Sequence, residues 1–427
     1  MNMAGKRLLM LGGTVSTYDF VKMAQEMGVY TIVTDNNPEP GPAKQIADEI
    51  AMVSTDDIDG LVQLCKEKKV DAVFTGASEF NLRNCIRVSE KAGLRFYTDM
   101  QTWNNCANKE TFKKFCQQFG IDTPERFEIT EDSSDEALAA LPYPVIVKPV
   151  DSSSSIGITV CYEASQMRQA CRFAREHSVT DTIIVEKFIE NDRLVTAFSY
   201  VVKEGEPHLV ATYDDYMVMQ SKNPFNHINS TPSKYVDYYL EHVNEKAIKM
   251  LKAMGVKNGS LFFQTLPYEG KIYFMEMGFR ISGGSMHKVS EPATGINATR
   301  GVMRYVLGDE VCADELLEKV NPQHPFCSGG QFCIPLNAGT IARYEGLEES
   351  KQVPGVTDVV QYYYPGDTVE ERVLGTLGQQ CLRYTAIANS LEEYVDIARR
   401  VFNMVKVYDT EGNLMNTMDM DFERFKL

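Results

Sequence analysis

The first hundred residues alternate between short apolar runs and longer stretches with helical periodicity. The pattern predicts helices at 18–27 and 57–68, and strands at Arg7–Leu11, 30–33, 50–53 and 70–75. A chain that alternates strand and helix at this spacing builds a parallel sheet covered by helices. We therefore expect residues 1–105 to form a doubly wound α/β domain.

The pattern changes near residue 106, and antiparallel strands are expected from about residue 194. It predicts helices at 109–119, 164–176, 235–254 and 391–403, and strands at 144–150, 182–185, 260–266 and 271–277. From about residue 311 onward, short strands alternate with glycine and proline turns. An α+β organisation is therefore expected for the rest of the chain.

The carboxyl ends of the predicted parallel strands carry small and acidic residues. Ligands bind at this edge of such sheets, and the edge here carries Gly12, Gly13, Asp35 and the segment 75–79. A dinucleotide-binding turn requires three glycines in the pattern G-x-G-x-x-G, and this turn offers only two. The sequence therefore favours a turn that only caps the sheet, and it argues against a site for NAD or FAD.

A lysine near the end of the predicted strand 144–150 leads into a serine-rich loop. Lys148 lies between Val147 and Pro149, and the loop contains Ser152, Ser153, Ser154, Ser155 and Gly157. Backbone N–H groups and small hydroxyls in such a loop can surround phosphate oxygens. The alternative is a lysine that reaches solvent beside a flexible hairpin tip. The residues alone leave both interpretations open.

Two strands joined by a turn at 269–270 carry a second candidate site. Gln264 and Glu276 are twelve residues apart and can face each other across the hairpin. Glu276 stands among phenylalanine and methionine residues, where an unpaired carboxylate is costly to bury, so a divalent cation is a natural partner. The alternative is an ion pair between Glu276 and Arg280. Arg280 leads into the segment 281–285 and is a candidate anion clamp, because guanidinium binds phosphoryl or carboxylate oxygens in pairs.

Composition narrows the function. The chain has 427 residues, a formal net charge of −16, a sequence pI near 5.0 and 44% hydrophobic residues. This composition is typical of a soluble globular protein, and the acidic charge argues against nucleic-acid and membrane-surface partners. We expect neither a secretion signal nor a membrane helix, since no apolar run approaches about 20 residues. The scattered cysteines form no CxxC pair, which predicts reduced thiols in the cytoplasm rather than a zinc site or disulfides.

In combination, these features resemble the ATP-grasp superfamily, in the branch of carbamoyl-phosphate synthase and biotin carboxylase. The resemblance rests on Lys109, the PVIVKPV strand with its serine loop, the VEKFIE segment, the FFQTL and FMEMGFR strands, and the carboxyl-terminal GTI, PGV and PGD segments. It implies three domains. These are a doubly wound parallel-sheet lead-in domain at 1–105, a two-subdomain ATP-grasp core at 106–310 with a small lid subdomain at about 125–188, and a small carboxyl-terminal α+β cap domain at 311–427.

The resemblance implies a nucleotide site for several of the candidate residues. Lys109 and Lys148 would bind ATP, while Glu186 and the backbone of Phe188 would hold its adenine. A mobile loop would close over the phosphates through Ser152, Ser153, Ser154, Ser155 and Gly157.

The same resemblance implies a metal site and a place for the second substrate. Gln264 and Glu276 would hold Mg²⁺ between the phosphates, and Arg280 would stabilise the transferred phosphoryl group or the acyl phosphate. Asp214 and His287 would contact the second substrate. The expected ligands are thus ATP, Mg²⁺ and small-molecule carboxylate and amine substrates, with no nucleic acid and no membrane, and the resemblance allows a homodimer.

The implied activity is that of an ATP-dependent ligase. A carboxylate is phosphorylated to an acyl phosphate, which an amine or a thiol then attacks, with release of ADP and phosphate. Four positions depart from the superfamily pattern. Gln264 and Gly278 replace an acidic and an asparagine metal ligand, Arg193 replaces a ribose-binding acid, and Ile156 replaces a basic or small polar residue.

These departures predict weaker metal binding, or support of the metal by Glu269, Asp214 or the substrate. They also keep two alternatives open. One is a pseudo-ligase that binds nucleotide without catalysis, which Gln264 and Gly278 favour. The other is a bicarbonate-activating enzyme of the carbamoyl-phosphate or biotin-carboxylase type.

Overall fold

Four apolar runs near the amino terminus pair in parallel. The computed structural model describes residues 3–39, 41–150, 157–178, 180–191, 194–220, 223–310, 316–416 and 422. The strands lie in the order β3-β2-β1-β4, with β1 (Arg7–Leu11), β2 (Tyr30–Thr34), β3 (Glu49–Ala51) and β4 (Ala72–Thr75). Leu8 to Leu11 are fully buried, as expected for a parallel sheet with both faces covered. The doubly wound parallel sheet predicted from the sequence is confirmed.

Five helices accompany this sheet. They are α1 (Val15–Glu26), α2 (Pro42–Ile46), α3 (Ile58–Lys68), α4 (Glu79–Ala92) and α5 (Met100–Ala107). Side chains cap three of them, since Asp57, Ser78 and Asp99 each accept a hydrogen bond from a backbone N–H in the first turn.

A small antiparallel sheet follows the helix α6 (Lys109–Gln118). Its order is β5-β8-β6-β7, with β5 (Arg126–Phe127), β6 (Val145–Pro149), β7 (Thr159–Cys161) and β8 (Ile183–Lys187). The helices α7 (Asp135–Ala139) and α8 (Ala164–Glu176) accompany it. α8 buries Met167, Ala170, Cys171 and Ala174, which lie on one helical face, together with Val145 and Val147 of β6.

The largest sheet has eight strands in the order β13-β12-β9-β10-β11-β14-β18-β16. Five of them precede residue 310, namely β9 (Leu194–Lys203), β10 (Glu206–Gln220), β11 (Asn223–Ser230), β12 (Gly259–Tyr268) and β13 (Lys271–Gly278). The helices of this region are α9 (Val236–His242), α10 (Asn244–Ala253), α11 (His287–Thr294) and α12 (Ala298–Val306).

The other three strands of that sheet come from the last quarter of the chain. This part contains β14 (Ser328–Pro335), β15 (Gly339–Glu345), α13 (Leu347–Ser350), β16 (Val356–Gln361), β17 (Thr368–Val369), β18 (Gln380–Ala388), α14 (Leu391–Met404) and β19 (Lys406–Asp409). Three short 3₁₀ turns lie at Leu317–Lys319, Glu371–Val373 and Leu377–Gln379. The central sheet crosses the expected boundary at 310 where Ile228 of β11 pairs with Phe332 of β14.

One local prediction is wrong. The single helix predicted at 235–254 is divided into α9 and α10 at Val243, whose φ of −124° is not helical. The division allows both helices to reach one buried hydroxyl, because Tyr200 lies 2.8 Å from the Tyr239 hydroxyl and 2.5 Å from Oδ1 of Asn244. The stretch 212–232 contains most of the hairpin β10–β11.

No helix among the described residues is both long enough and apolar enough to cross a membrane.

Candidate active site

Helix α6 presents two lysines to two different sheets. Lys109 and Lys113 are four residues apart and so lie on the same helical face. Nζ of Lys109 is 3.8 Å from Oε2 of Glu276 on β13, and Nζ of Lys113 contacts Oε1 of Glu186 on β8. The helix therefore lines a cleft between the small sheet and the large sheet.

Lys148 completes a buried cluster on the small sheet. The register of β6 and β8 pairs Ile146 with Glu186, so Lys148 lies diagonally across from Glu186 on the same face. Nζ of Lys148 is 2.8 Å from Oε2 of Glu186, whose side chain has no exposed surface. We call Lys113, Lys148 and Glu186 the buried cluster. The alternative of a lysine that reaches solvent is wrong, because only 9% of the Lys148 side chain is exposed.

The buried cluster contains two ammonium groups and one carboxylate. Burial alone would raise the pKa of Glu186, but Lys148 and Lys113 outweigh it and lower that pKa below its usual range. Burial, reinforced by the nearby Lys148, lowers the pKa of Lys113 to about 8. The excess of positive charge makes this side of the cleft suitable for an anion.

The hairpin β12–β13 forms the opposite wall. Gln264 pairs with Glu276 in register, and Gln264 also pairs with Ala197 of β9, which pairs with Tyr213 of β10. Directly opposed residues in antiparallel strands point to the same face. Gln264, Glu276 and Tyr213 therefore share one face of the large sheet.

One amide oxygen and one carboxylate are the donors that this pair offers to a cation. The Glu276 side chain is 47% exposed, so it is accessible from the cleft. Mg²⁺ accepts one or two protein oxygens and completes its shell with water and phosphate. The donors of Gln264 and Glu276 therefore fit Mg²⁺, and no group of three or more histidine, cysteine or acidic residues among the described positions forms a fuller site.

The two acids proposed to support this metal lie elsewhere. Glu269 is at the turn, five residues beyond Gln264 and so roughly 15 Å along the strand. Asp214 pairs with Thr196, one position out of step with Ala197, which places it on the opposite face from Gln264. The Ser233 hydroxyl and the N–H of Lys234 donate to its carboxylate, and burial raises its pKa to about 6. The structure therefore does not bring Asp214 into the cleft.

Packing explains the glycine at 278. A Cβ added to Gly278 would lie 2.5 Å from the ring of Phe262, its register partner on β12. The guanidinium of Arg280 stands 5.0 Å from the centre of the same ring. An aromatic ring thus occupies the space that a side chain at 278 would need.

Arg280 contacts the amino-terminal sheet. Its Nε donates to Oε1 of Glu79 at 2.7 Å, and its Nη1 donates to the carbonyl of Ile281 at 3.0 Å. The alternative of an ion pair between Glu276 and Arg280 is therefore wrong. Glu79 begins α4, four residues after the last residue of β4, so the carboxyl end of that strand lies near Arg280.

The acidic residue at the carboxyl end of β2 is already paired within the amino-terminal domain. Oδ2 of Asp35 accepts a hydrogen bond from the N–H of Gly13 at 2.7 Å, and Lys44 pairs with the same carboxylate. These contacts hold the turn together, as the capping interpretation predicts.

The remaining predicted positions divide in three ways. Ser152, Ser153, Ser154, Ser155, Ile156 and Arg193 lie outside the described residues. Gly157 has a φ of +79°, and a Cβ there would lie 2.7 Å from Cγ of Pro149, so only glycine brings the chain back onto β6. The N–H of Phe188 already donates to the carbonyl of Pro144 at 3.0 Å, which leaves its carbonyl for a ligand.

His287 is the first residue of α11 and lies near a group of charged side chains that connects three parts of the chain. Its Nδ1 is buried without a hydrogen-bond partner among the described residues, and burial lowers its pKa to about 4. Next to it, Nζ of Lys288 lies 3.0 Å from Asp19 of α1 and 3.0 Å from Asp358 of β16, and Ser285 donates to Asp19. This group links α1, α11 and β16.

Sequence reasoning missed Lys113, Glu79 and Phe262. Lys113 had a signal, because it follows Lys109 by one helical turn on the same face. Glu79 was noted as a strand end, but its partner Arg280 is 201 residues away. The contact of Phe262 with Gly278 depends on the hairpin register and has no signal in the residue types.

Comparison with known proteins extends these observations. Residues 108–311 match the family model described as carbamoyl-phosphate synthase L chain, ATP binding domain. The chain is 22% identical to the formate-dependent phosphoribosylglycinamide formyltransferase of Sulfurisphaera tokodaii, over 94% of this chain and 97% of that protein. The protein of the same name from Bacteroides thetaiotaomicron is 23% identical, over 94% of this chain and its own full length.

Solved structures share the fold across the chain. The L-amino acid ligase from Bacillus licheniformis has a TM-score of 0.76 and 22% identity, and the match covers 95% of this chain and 99% of that one. The biotin carboxylase domain of the Hydrogenobacter thermophilus 2-oxoglutarate carboxylase, in complex with MgADP, has a TM-score of 0.78 and 19% identity, with 99% and 95% covered.

Proposed function

We propose that this chain is an ATP-grasp enzyme, namely an ATP-dependent ligase that joins a small-molecule carboxylate to an amine through an acyl phosphate. The observation that carries the proposal is the arrangement around α6, in which Lys109 lies 3.8 Å from Glu276, the register partner of Gln264, while Lys148 pairs with Glu186 on the small sheet. A cationic wall opposite an oxygen-donor pair suits a nucleotide polyphosphate with its divalent cation.

Each side chain has a role that its position supports. Lys109 and Lys148 bind phosphate oxygens as point charges, and Arg280, held in place by Glu79, orients the carboxylate and its phosphorylated form. Gln264 and Glu276 would hold Mg²⁺, which supplies charge neutralisation for the phosphates. The work of the protein in such a reaction is positioning and electrostatic stabilisation.

The names of the relatives support a carboxylate and an amine as substrates. Formate and L-amino acids, which occur in those names, are carboxylates, and an amino acid also carries the amine. A thiol remains the second nucleophile to test. We further propose that the chain divides into domains at 1–105, 106–310 and 311–427, with a lid subdomain at about 125–188, and that it forms a homodimer. We also propose a cytoplasmic location, which the nine free thiols among the described residues support.

The test is Mg²⁺-dependent release of ADP from ATP by the full chain. Formate, L-amino acids and bicarbonate would be screened as carboxylates, each with and without an amine. We expect release that requires both a carboxylate and an amine, and its loss in Lys148→Ala and Glu276→Gln.

Three outcomes would contradict the proposal. Bicarbonate-stimulated release without an amine would favour the bicarbonate enzyme. Binding of ATP without Mg²⁺ dependence and without turnover would favour the pseudo-ligase. Unchanged turnover in both variants would reject the assigned site.

A further inference from the structure

A buried lysine that the proposed reaction does not use lies one helical turn after Lys109. The side chain of Lys113 is 11% exposed, and its Nζ contacts Oε1 of the fully buried Glu186. Oε2 of the same carboxylate lies 2.8 Å from Nζ of Lys148. Two lysines from different elements, α6 and β6, therefore share one buried carboxylate.

This sharing has a consequence for the mobility of Lys148. A buried carboxylate is stable as an anion only while it is paired. When the ammonium of Lys148 turns toward a phosphate, Glu186 loses one of its two counter-charges. Lys113 remains paired with Oε1 of Glu186, so the carboxylate keeps one counter-charge. The movement of Lys148 toward the phosphate therefore requires less free energy than it would without Lys113.

We propose that Lys113 is a positioning residue that retains Glu186 while Lys148 moves from Glu186 to the phosphates of a bound nucleotide. The inference rests on the proposed function, because it takes Lys148 as a phosphate ligand. Lys113 does not touch the nucleotide and acts through Glu186 and Lys148.

The charges around Lys113 make this role depend on pH. The groups that face it are Glu186 from β8, Lys148 from β6 and Cys116 from its own helix. Burial, with the charge of Lys148, lowers the pKa of Lys113 to about 8, whereas burial raises the pKa of the Cys116 thiol to about 12 and keeps it neutral. Lys113 thus loses its proton near pH 8 in the free protein.

A phosphate beside Lys148 adds negative charge and favours protonated Lys113. Above pH 8 the nucleotide therefore binds together with a proton, and its affinity falls as the pH rises. We expect a decrease of roughly tenfold between pH 7 and pH 9, if the bound state returns the pKa of Lys113 to the ordinary lysine range.

The experiment is calorimetric titration of the full chain with ADP at pH 7, 8 and 9, for the wild type, Lys113→Met, Lys113→Arg and Lys114→Met. Lys114 is the matched control, because it is the next residue, is 71% exposed and pairs with Glu110 on the surface. We expect Lys113→Met to weaken ADP binding by about tenfold at pH 7 and to remove the pH dependence. Lys113→Arg should keep the affinity through pH 9, and Lys114→Met should match the wild type.

Two results would overturn the inference, and they differ from failure of the proposed function. Wild-type affinity and pH dependence in Lys113→Met would reject the role of Lys113 alone. A wild type that binds no ADP at any pH would reject the proposed function and this inference with it. If Lys113→Met does not fold, Lys113→Arg carries the test, because its guanidinium stays charged at every pH measured. That variant should bind ADP with the same affinity at pH 7 and pH 9, and a retained dependence would reject Lys113 as its source.

Discussion

The two glutamates of the cleft have the same side chain in opposite surroundings. Glu186 has no exposed surface and two lysine partners, whereas Glu276 is 47% exposed and has Lys109 at 3.8 Å. Burial fixes the first carboxylate as an internal counter-charge, because it cannot lose its partners without a large desolvation penalty. Exposure leaves the second available to a cation. The first carboxylate thus balances buried charge, and the second is the one that we propose for the cation.

The largest effect is expected from removing the buried carboxylate. Glu186→Leu leaves Lys113 and Lys148 buried and facing each other, which should lower the free energy of unfolding by about 3–5 kcal/mol. Denaturant unfolding measures this. The control is Glu110→Leu, which breaks an exposed pair with Lys114 and should cost less than about 1 kcal/mol. Equal losses in the two variants would contradict the contrast.

Removing the charge of the exposed Glu276 should lower activity and leave stability almost unchanged. Glu276→Gln keeps the size of the side chain and removes the charge, so ADP formation should fall about 10²–10³-fold. The free energy of unfolding should change by less than about 0.5 kcal/mol, because the residue is not buried. Parallel kinetics and denaturant unfolding separate the two effects. A destabilised but active variant would reverse the assignment.

A smaller loss of stability is expected at position 278, where the superfamily pattern has an asparagine metal ligand and this chain has glycine. Gly278→Asn drives a Cβ into the Phe262 ring and should lower the free energy of unfolding by about 1–3 kcal/mol. Adding Phe262→Leu should recover part of the loss, since it shortens the obstructing side chain. Thermal unfolding of both variants checks this. A single variant as stable as the wild type would show that the ring moves aside.

The smallest effect is expected on metal affinity, from a change of the Gln264 amide. Gln264→Glu adds a second carboxylate opposite Glu276 and should tighten Mn²⁺ binding in the presence of ADP by roughly tenfold. Titration followed by electron paramagnetic resonance measures free Mn²⁺ directly. Gln63→Glu, on α3, adds the same charge as a control. Equal affinity in all three proteins would mean that Gln264 does not face the metal.

The parts of the fold with regular apolar patterns could be predicted from the sequence. The strand Arg7–Leu11 and the helix Ala164–Glu176 have the predicted bounds, and Gln264 and Glu276 pair as their spacing indicated. The break at Val243 could not be predicted, because the helical periodicity continues through it. The residues on both sides of the break contact the buried hydroxyl of Tyr200, which is distant in sequence.

The site was harder to predict than the fold for the same reason. The face on which Asp214 lies depends on register with β9, which no local pattern contains. The partner of Arg280 is the first residue of α4, which is distant in sequence, and the backbone N–H of Phe188 is already bonded to Pro144. Long-range pairing decides which polar groups remain available to a ligand, whereas local pattern decides only where the elements are.

The strand β11 determines how the polypeptide can be divided. A fragment that ends near residue 310 would lack β14, whose Gln331 N–H donates to Oδ1 of Asn229, and α14, whose Tyr394 hydroxyl donates to the Asn229 carbonyl. β11 would become an open edge with unpaired backbone groups beside Ile228, the arrangement that promotes edge-to-edge aggregation. The part of the chain before residue 310 therefore depends on the last quarter of the chain to cover this edge.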